Sequence, residues 1–247
     1  MKILLLDIET APSLAYIWGI WQENIPLERL LESGYILCWA AKWLGEDEIF
    51  FDSVQTKSQK GMLRTIYKLL DEADAVMHYN GKKFDIPTLN REFVEVGWTP
   101  PSPYKQIDLL ETVRGNFKLP SYKLEYVAKF FGIGEKFKHS GFSVWDGCIR
   151  GDKASWEEMS KYNKIDTTLL EALYFKLQPW IKRHPNYSLY SDDRMVCPNC
   201  GGHHLVKRGT HKTLHSIFQR YKCKGCGKWC HDNKRLNAQE FKTVGIE

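Results

Sequence analysis

The sequence predicts an α/β protein: a mixed β-sheet flanked by helices, followed by a small module organised by four cysteines. Three observations carry this. An aliphatic run, Ile3-Leu4-Leu5-Leu6, ends at a carboxylate, and two further apolar runs are joined by the short polar segment Gly45-Glu46-Asp47. After them, segments with helical and with strand patterning alternate, the signature of layered α/β chains. Near the end stand two Cys-x-x-Cys pairs in a basic stretch.

Taken in order, residues 2–7 predict a buried strand, because a continuous aliphatic run suits a strand covered on both faces. Residues 35–44 and 48–54 predict two more strands in a hairpin across Gly45-Glu46-Asp47. Apolar spacing then predicts a helix from Lys60 to Leu70, a strand over Ala75–Tyr79 and a helix from Ile86 to Val96. Pro100, Pro101 and Pro103 break the chain before Gln106-Ile107-Asp108-Leu109-Leu110. Residues 121–131 are amphipathic, with Leu124, Val127, Ala128 and Phe131 on one face. A long helix is expected from Ser155 to Arg183, with Ser155 and Glu158 as a capping box. Pro185 and the polar run 188–193 mark a linker. The expected domains are therefore 1–185 for the α/β body, 186–194 for the linker, 195–233 for the cysteine module and 234–247 for a tail.

The 247 residues carry a net charge of +5, distributed unevenly. Residues 194–247 hold 11 Lys and Arg against 3 acids, a surplus of +8, which leaves 24 basic and 27 acidic residues, or −3, in the rest. A mildly acidic body with a basic end suits a partner that carries phosphates. Hydrophobic content of 43% and aromatic content of 13% exclude a disordered chain. The apolar start is too short for a signal peptide and no stretch is long enough to span a bilayer. A cytoplasmic protein with no membrane partner is expected.

Four of the seven cysteines form Cys197-Pro198-Asn199-Cys200 and Cys223-Lys224-Gly225-Cys226, with 22 residues between the pairs. Two such knuckles predict one closed, structural zinc site, since four thiolates leave no open position for catalysis. Gly201 and Gly227 follow the knuckles, where tight turns need them. Cys230 and His231 are spare, and Cys38 and Cys148 are expected to be buried thiols. The stretch 196–232 resembles the zinc ribbons of transposases and other DNA-associated proteins, most closely in Gln219-Arg220-Tyr221-Lys222-Cys223. Lys207, Arg208 and Arg220, with Lys212, Lys222 and Lys224, are candidate phosphate contacts. The same surface could instead take a replication or repair protein.

Three separate segments place carboxylates where chemistry needs them. Asp7 and Glu9 lie two apart at a strand end and so leave the same face. Asp85, in Asn80-Gly81-Lys82-Lys83-Phe84-Asp85, sits at the start of a helix, a position that also suits an ordinary cap. Tyr162 and Asp166 share one helical face at i, i+4. Clustered carboxylates are costly without cations, and their hard oxygens select magnesium or manganese over zinc.

These segments resemble the DEDD superfamily of 3′→5′ exonucleases in its tyrosine subclass. The likeness is greatest to the proofreading exonuclease domain of family B DNA polymerases and its stand-alone bacterial and phage relatives. Asp7-x-Glu9 matches the first motif, Asn80-x-x-x-Phe84-Asp85 the second and Tyr162-x-x-x-Asp166 the third. Ile107–Leu110 and Leu119–Leu124 also look like family segments. The resemblance covers residues 1–183 and implies a ribonuclease H-like fold. It further implies a free-standing, metal-dependent exonuclease acting on the 3′ ends of mostly single-stranded DNA, with two magnesium or manganese ions. By the same analogy Asp7 bridges both ions, Glu9 and Asp166 hold one, and Asp85 gives outer-sphere support at the other. Tyr162 orients the attacking water by hydrogen bonding, since a phenol is a poor base at neutral pH.

Asn80, Lys82 and Lys83, in the second motif, are candidate substrate contacts. Tyr16, Trp18 and Trp21, just after the first, could stack on unpaired bases or pack a lid or core. An RNA exonuclease or a structure-specific endonuclease on the same fold is the alternative enzyme. A nucleic-acid-binding module is the non-enzyme alternative, disfavoured by the intact acidic set.

Overall fold

The computed structural model describes residues 1–21, 24–134, 140–193 and 195–236. Of the expected linker, Arg194 lies outside the described residues, as do residues 237–247 of the expected tail. By contacts the chain divides into two compact units, Lys2–Leu173 and Tyr174 onward with Met1.

In the first unit the strands are β1 (Ile3–Thr10), β2 (Leu14–Ala15), β3 (Leu30–Glu32), β4 (Ile36–Trp43), β5 (Phe50–Ser53), β6 (Ala75–His78) and β7 (Lys105–Asp108). Its helices are α1 (Gln59–Glu72), α2 (Asp85–Glu95), α3 (Leu109–Asn116), α4 (Leu124–Phe130), α5 (Ser143–Ile149) and most of α6 (Lys153–Leu177). Five strands form one sheet in the order β5-β4-β1-β6-β7, while β2 and β3 pair separately as a short ribbon. β4 is antiparallel to both of its neighbours, β1 and β5, while β6 pairs in parallel with β1 and β7 in parallel with β6. The expected hairpin is present, with Gly45 at φ +84° in its turn, a conformation that favours glycine.

β1 is the central strand, and Ile3–Leu6 are buried, as its continuous aliphatic run requires. Its residues alternate between two layers. Leu4, Leu6 and Ile8 pack with Met62, Leu63, Ile66 and Leu70 of α1 and Ile86, Leu89 and Phe93 of α2. On the other face Cys38 of β4 packs with Val144 and Cys148 of α5 and Trp156, Met159 and Tyr162 of α6. Each fully buried aliphatic or aromatic side chain contributes about 1.5–3 kcal/mol, so these two layers fix the register of β1. Asp7 and Glu9 pair with Ala40 and Cys38, which assigns both carboxylates to the α5–α6 face.

Helix ends follow local chemistry, and α6 differs from expectation at both of its ends. Ser58 caps α1 by accepting from the Gly61 N–H at 3.2 Å, and Asp108 caps α3 by accepting from the Leu110 and Glu111 N–H groups. The capping box expected at Ser155 and Glu158 is not formed. α6 begins earlier, at Lys153, and Asp152 accepts from the Ser155 N–H at 2.8 Å and its hydroxyl at 2.6 Å. Glu158 accepts instead from the Ser140 N–H at 2.7 Å. A carboxylate three residues before Ser155 offers the stronger charge-assisted cap. α6 also ends sooner than expected, at Leu177; a 3₁₀ turn over Gln178–Trp180 follows, where Pro179 has no N–H to continue the helix.

The second unit contains β8 (Leu205–Lys212), β9 (Ile217–Cys223) and β10 (Trp229–Arg235), an antiparallel sheet in the order β10-β9-β8. Among the described residues no helix is long and apolar enough to cross a membrane.

Candidate active site

The site grows from the end of β1. Asn163 of α6 is fully buried, and its amide donates to the Asp7 Oδ2 at 2.6 Å and to the Asp7 carbonyl at 3.3 Å. α6 is thereby tied to β1 at the first acidic residue. Tyr162 lies beside Asn163, is 6% exposed and meets the edge of Trp145, with ring centroids 6.0 Å apart. Burial pushes its phenol far above the ordinary tyrosine range, and the charges of Glu9, Asp166 and Asp7 push it further, as does a hydrogen bond with Asp166. Tyr162 thus senses three carboxylates from two distant parts of the chain. Cys38 reports the same convergence: burial raises its thiol pKa, followed by the charges of Glu9 and Asp7.

Asp85 arrives from the opposite layer. It opens α2 yet does not serve as that helix's cap, the capping position being Phe84 with no side-chain bond. Its carboxylate is 4% exposed and accepts from the Ile8 N–H of β1 at 3.2 Å. Desolvation pushes its pKa up to about 7 against the lowering effect of that N–H, and nearby Asp108 raises it further.

The loop before α2 is held by residues that motif spacing did not single out. Asp108, besides capping α3, accepts from the Asn80 N–H at 3.0 Å and the Lys82 N–H at 3.4 Å. Asn80 adopts a left-handed φ of 70°. The Gly81 N–H donates to Nδ1 of buried His78 at 3.1 Å, and a Cβ on Gly81 would fall 2.4 Å from the His78 ring. Because Nδ1 accepts, the His78 proton sits on Nε2, 3.2 Å from the Gln106 Oε1. Burial lowers the His78 pKa in spite of the Asp108 carboxylate, which lies 3.6 Å from Nδ1. Asp108 carried a usable sequence signal, an Asp-x-x-Glu start before Leu109 and Leu110. Asn163 carried none beyond its place next to Tyr162.

Lys82 pairs with Glu111, and Lys83 is exposed. Tyr16, Trp18 and Trp21 are 68%, 89% and 89% exposed, so they pack into no core; the Arg29 guanidinium lies 6.0 Å from the Trp18 ring. Lys207, Arg208 and Arg220 belong to the second unit.

That unit holds the four-cysteine group. The sulfurs of Cys197, Cys200, Cys223 and Cys226 all lie within 4.8 Å of one another, and the Cys197–Cys226 and Cys200–Cys223 pairs are each 3.7 Å apart. A tetrahedron with zinc–sulfur bonds of about 2.3 Å has edges of about 3.8 Å, so the cluster fits zinc. The Asn199 amide donates toward the Cys226 sulfur at 3.5 Å, a supporting bond of the kind that orients metal ligands. Cys230 and His231 lie outside the quartet.

Comparison with known proteins agrees with this architecture. A model of the RNase_H superfamily matches residues 32–178, more than half of the chain, and the chain belongs to that superfamily. The match takes in Asp85, Tyr162 and Asp166 and begins after Asp7 and Glu9. Among solved structures, the family B DNA polymerase of the hyperthermophilic archaeon Pyrobaculum calidifontis is similar with a TM-score of 0.53 and 18% identity. The similarity covers 72% of this chain and 24% of the polymerase, so this chain spans about a quarter of that protein. No curated protein matches by sequence.

Proposed function

We propose that the chain is a divalent-metal-dependent 3′→5′ exonuclease of the DEDD type, tyrosine subclass, acting on single-stranded DNA ends. One observation carries the reading. Asp7 and Glu9 of β1 and Asp166 of α6 all act on the buried Tyr162, while Asp85 of α2 is bonded to the residue between Asp7 and Glu9. Three segments far apart in sequence supply one oxygen-rich centre at the end of a central strand. An ordinary capping role for Asp85 does not account for its bond to β1.

The donor set fits hard cations. Asp7, Glu9 and Asp166 are the residues to hold magnesium or manganese, with Asp85 in support, since one of its oxygens is engaged by the Ile8 N–H. Such ions, when bound, supply an activated water and stabilisation of the leaving 3′ oxygen. Asn163 fixes the Asp7 carboxylate through Oδ2. Tyr162, its phenol raised far above neutrality, keeps its proton and acts as a hydrogen-bond donor that positions water or a phosphate oxygen. It does not act as a base. The chain divides in function as in sequence: an exonuclease body to residue 185, a linker, and a zinc ribbon over 195–233 with a following tail. In the ribbon zinc is structural, because all four ligands are thiolates.

The test uses 5′-labelled single-stranded DNA, RNA and duplex DNA with magnesium or manganese. A descending ladder on single-stranded DNA is expected, abolished in Asp7→Ala and Asp166→Ala. Discrete internal products would replace the exonuclease with an endonuclease, and undiminished digestion by Asp7→Ala would remove the assigned site.

A further inference from the structure

We infer that the solvent-facing side of the ribbon sheet is a second binding surface for single-stranded nucleic acid, with Trp229 as its stacking residue. The inference rests on the nucleic-acid reading above only for the class of ligand. The strand register defines the face. Trp229 of β10 pairs with Lys222 of β9, and His231 with Arg220, so these four side chains leave the same side of the sheet. The alternate residues of β9, Tyr221 and Cys223, are buried on the other side with the cysteine quartet. On the open side the Arg220 guanidinium lies 4.9 Å and the Lys222 ammonium 5.5 Å from the Trp229 ring, which is 48% exposed. Two residues further along β10, the His231 ring continues the row, stacked on His211 of β8 at 4.5 Å with 6° between planes.

Aromatic planes set among fixed cations are what an unpaired strand requires: bases stack on the rings while phosphates meet the charges. The charge balance commits the face to a polyanion. Residues 195–236 carry nine Lys and Arg and one acid, Asp232. Duplex DNA has its bases already stacked and would gain only the cationic part. The histidines and Trp229 were not distinguishable as a surface from the sequence, because only the β8–β9–β10 register puts them side by side.

The experiment measures equilibrium binding by the full chain, with no divalent ion added, of fluorescein-labelled oligo(dT) and of a duplex of equal length, by anisotropy. Trp229→Ala is expected to weaken oligo(dT) binding about fivefold or more, the lower end of the loss from one base–aromatic stack, with less than about twofold change on duplex. Trp229→Phe should retain most of the affinity. Arg220→Gln and Lys222→Gln should each lower the slope of log affinity against log salt by about one. Zinc content of one per chain in each variant confirms an intact ribbon, and the two charge variants keep the test open should Trp229→Ala lose zinc. Unchanged oligo(dT) affinity and salt slope would overturn the surface and leave it to a protein partner. Equal losses on single strand and duplex would overturn the stacking role. A chain that binds in this way but does not cut DNA would remove the exonuclease reading and leave this one standing.

Discussion

At the residue scale, the centre is defined by side chains whose protonation differs from that in water. Burial and then the charges of Glu9, Asp166 and Asp7 oppose a phenolate at Tyr162 and raise its pKa far above the ordinary tyrosine range. Tyr162→Phe removes the donor and keeps the ring packed on Trp145. It should lower kcat by about 10–100-fold, the range for loss of a supporting hydrogen bond at a metal site. KM should change little, and the alkaline limb of the pH–rate profile should be the same in both proteins. An alkaline limb that vanishes in the Phe variant would make Tyr162 a titrating base. Asp85 gives a second handle. Its folded pKa of about 7 lies above the ordinary carboxylate value, so between roughly pH 4 and 7 the folded chain binds more protons than the unfolded one. This group's stability contribution is therefore full below the unfolded pKa and is lost as pH rises toward 7. Asp85→Asn should flatten the fall in stability from pH 5 to 8, by on the order of a few kcal/mol, in denaturant titrations without added divalent ions. Parallel curves for both proteins would contradict the burial of a charged Asp85.

At the element scale, the loop from Asn80 to Phe84 and the start of α3 are one device. Asp108 caps α3 and simultaneously holds the backbone of Asn80 and Lys82, and so sets where α2 begins and where Asp85 points. Asp108→Ala leaves several N–H groups without this acceptor. It should destabilise the chain by about 1–3 kcal/mol and reduce cleavage, while Asp108→Asn, which keeps one carbonyl oxygen, should recover part of both. Urea unfolding and the ladder assay together separate this from a purely structural loss: equal activity per folded molecule in Asp108→Ala would confine the residue to stability. The same elements show how far the sequence could be read. Strands β1, β4, β5 and β6 and helices α1, α2, α4 and α6 were legible because apolar periodicity survives in each, whereas β2, β3, β7, α3 and α5 are too short to carry a period of their own; the three motifs marked Asp7, Glu9, Asp85, Tyr162 and Asp166 by residue type and spacing. Illegible were the contacts that cross between segments: Asn163 on Asp7, Asp85 on the Ile8 N–H, and Asp108 on the loop 28 positions earlier. Nothing local shows which distant partner such a residue reaches. The capping box at Ser155 and Glu158 shows the opposite error. A local pattern was satisfied on paper, but Asp152 had the same spacing to Ser155 and a stronger acceptor.

At the scale of the whole molecule, the two compact units reach stability by different means, and that difference can be measured. Lys2–Leu173 has a two-layered apolar core around β1. Residues 195–236, by contrast, bury only Val196, Cys197, Tyr221 and Cys223 among their hydrophobic side chains. So small an apolar interior cannot by itself offset the conformational entropy of three ordered strands, and a metal held by the four-cysteine cluster, which fits zinc, would supply what this sheet's core lacks. The last turn after α6 belongs with it: Gln178 and Asn199 exchange side chain-to-backbone bonds at 3.1 Å each way, and the Lys228 ammonium meets the Pro179 carbonyl at 3.0 Å. A truncation after residue 193 would remove these partners and leave the Gln178 amide without the Asn199 carbonyl. It would therefore confuse loss of the ribbon with damage to the helix end. Selective withdrawal of zinc is the cleaner perturbation. One zinc per chain should be released by a thiol-modifying reagent. Its loss should erase the amide-exchange protection of β8, β9 and β10 while strands β1, β4 and β6 stay protected. Full protection of β9 after zinc release would show that the sheet stands without metal, and simultaneous loss of β1 protection would show that the sequence folds as a single cooperative unit.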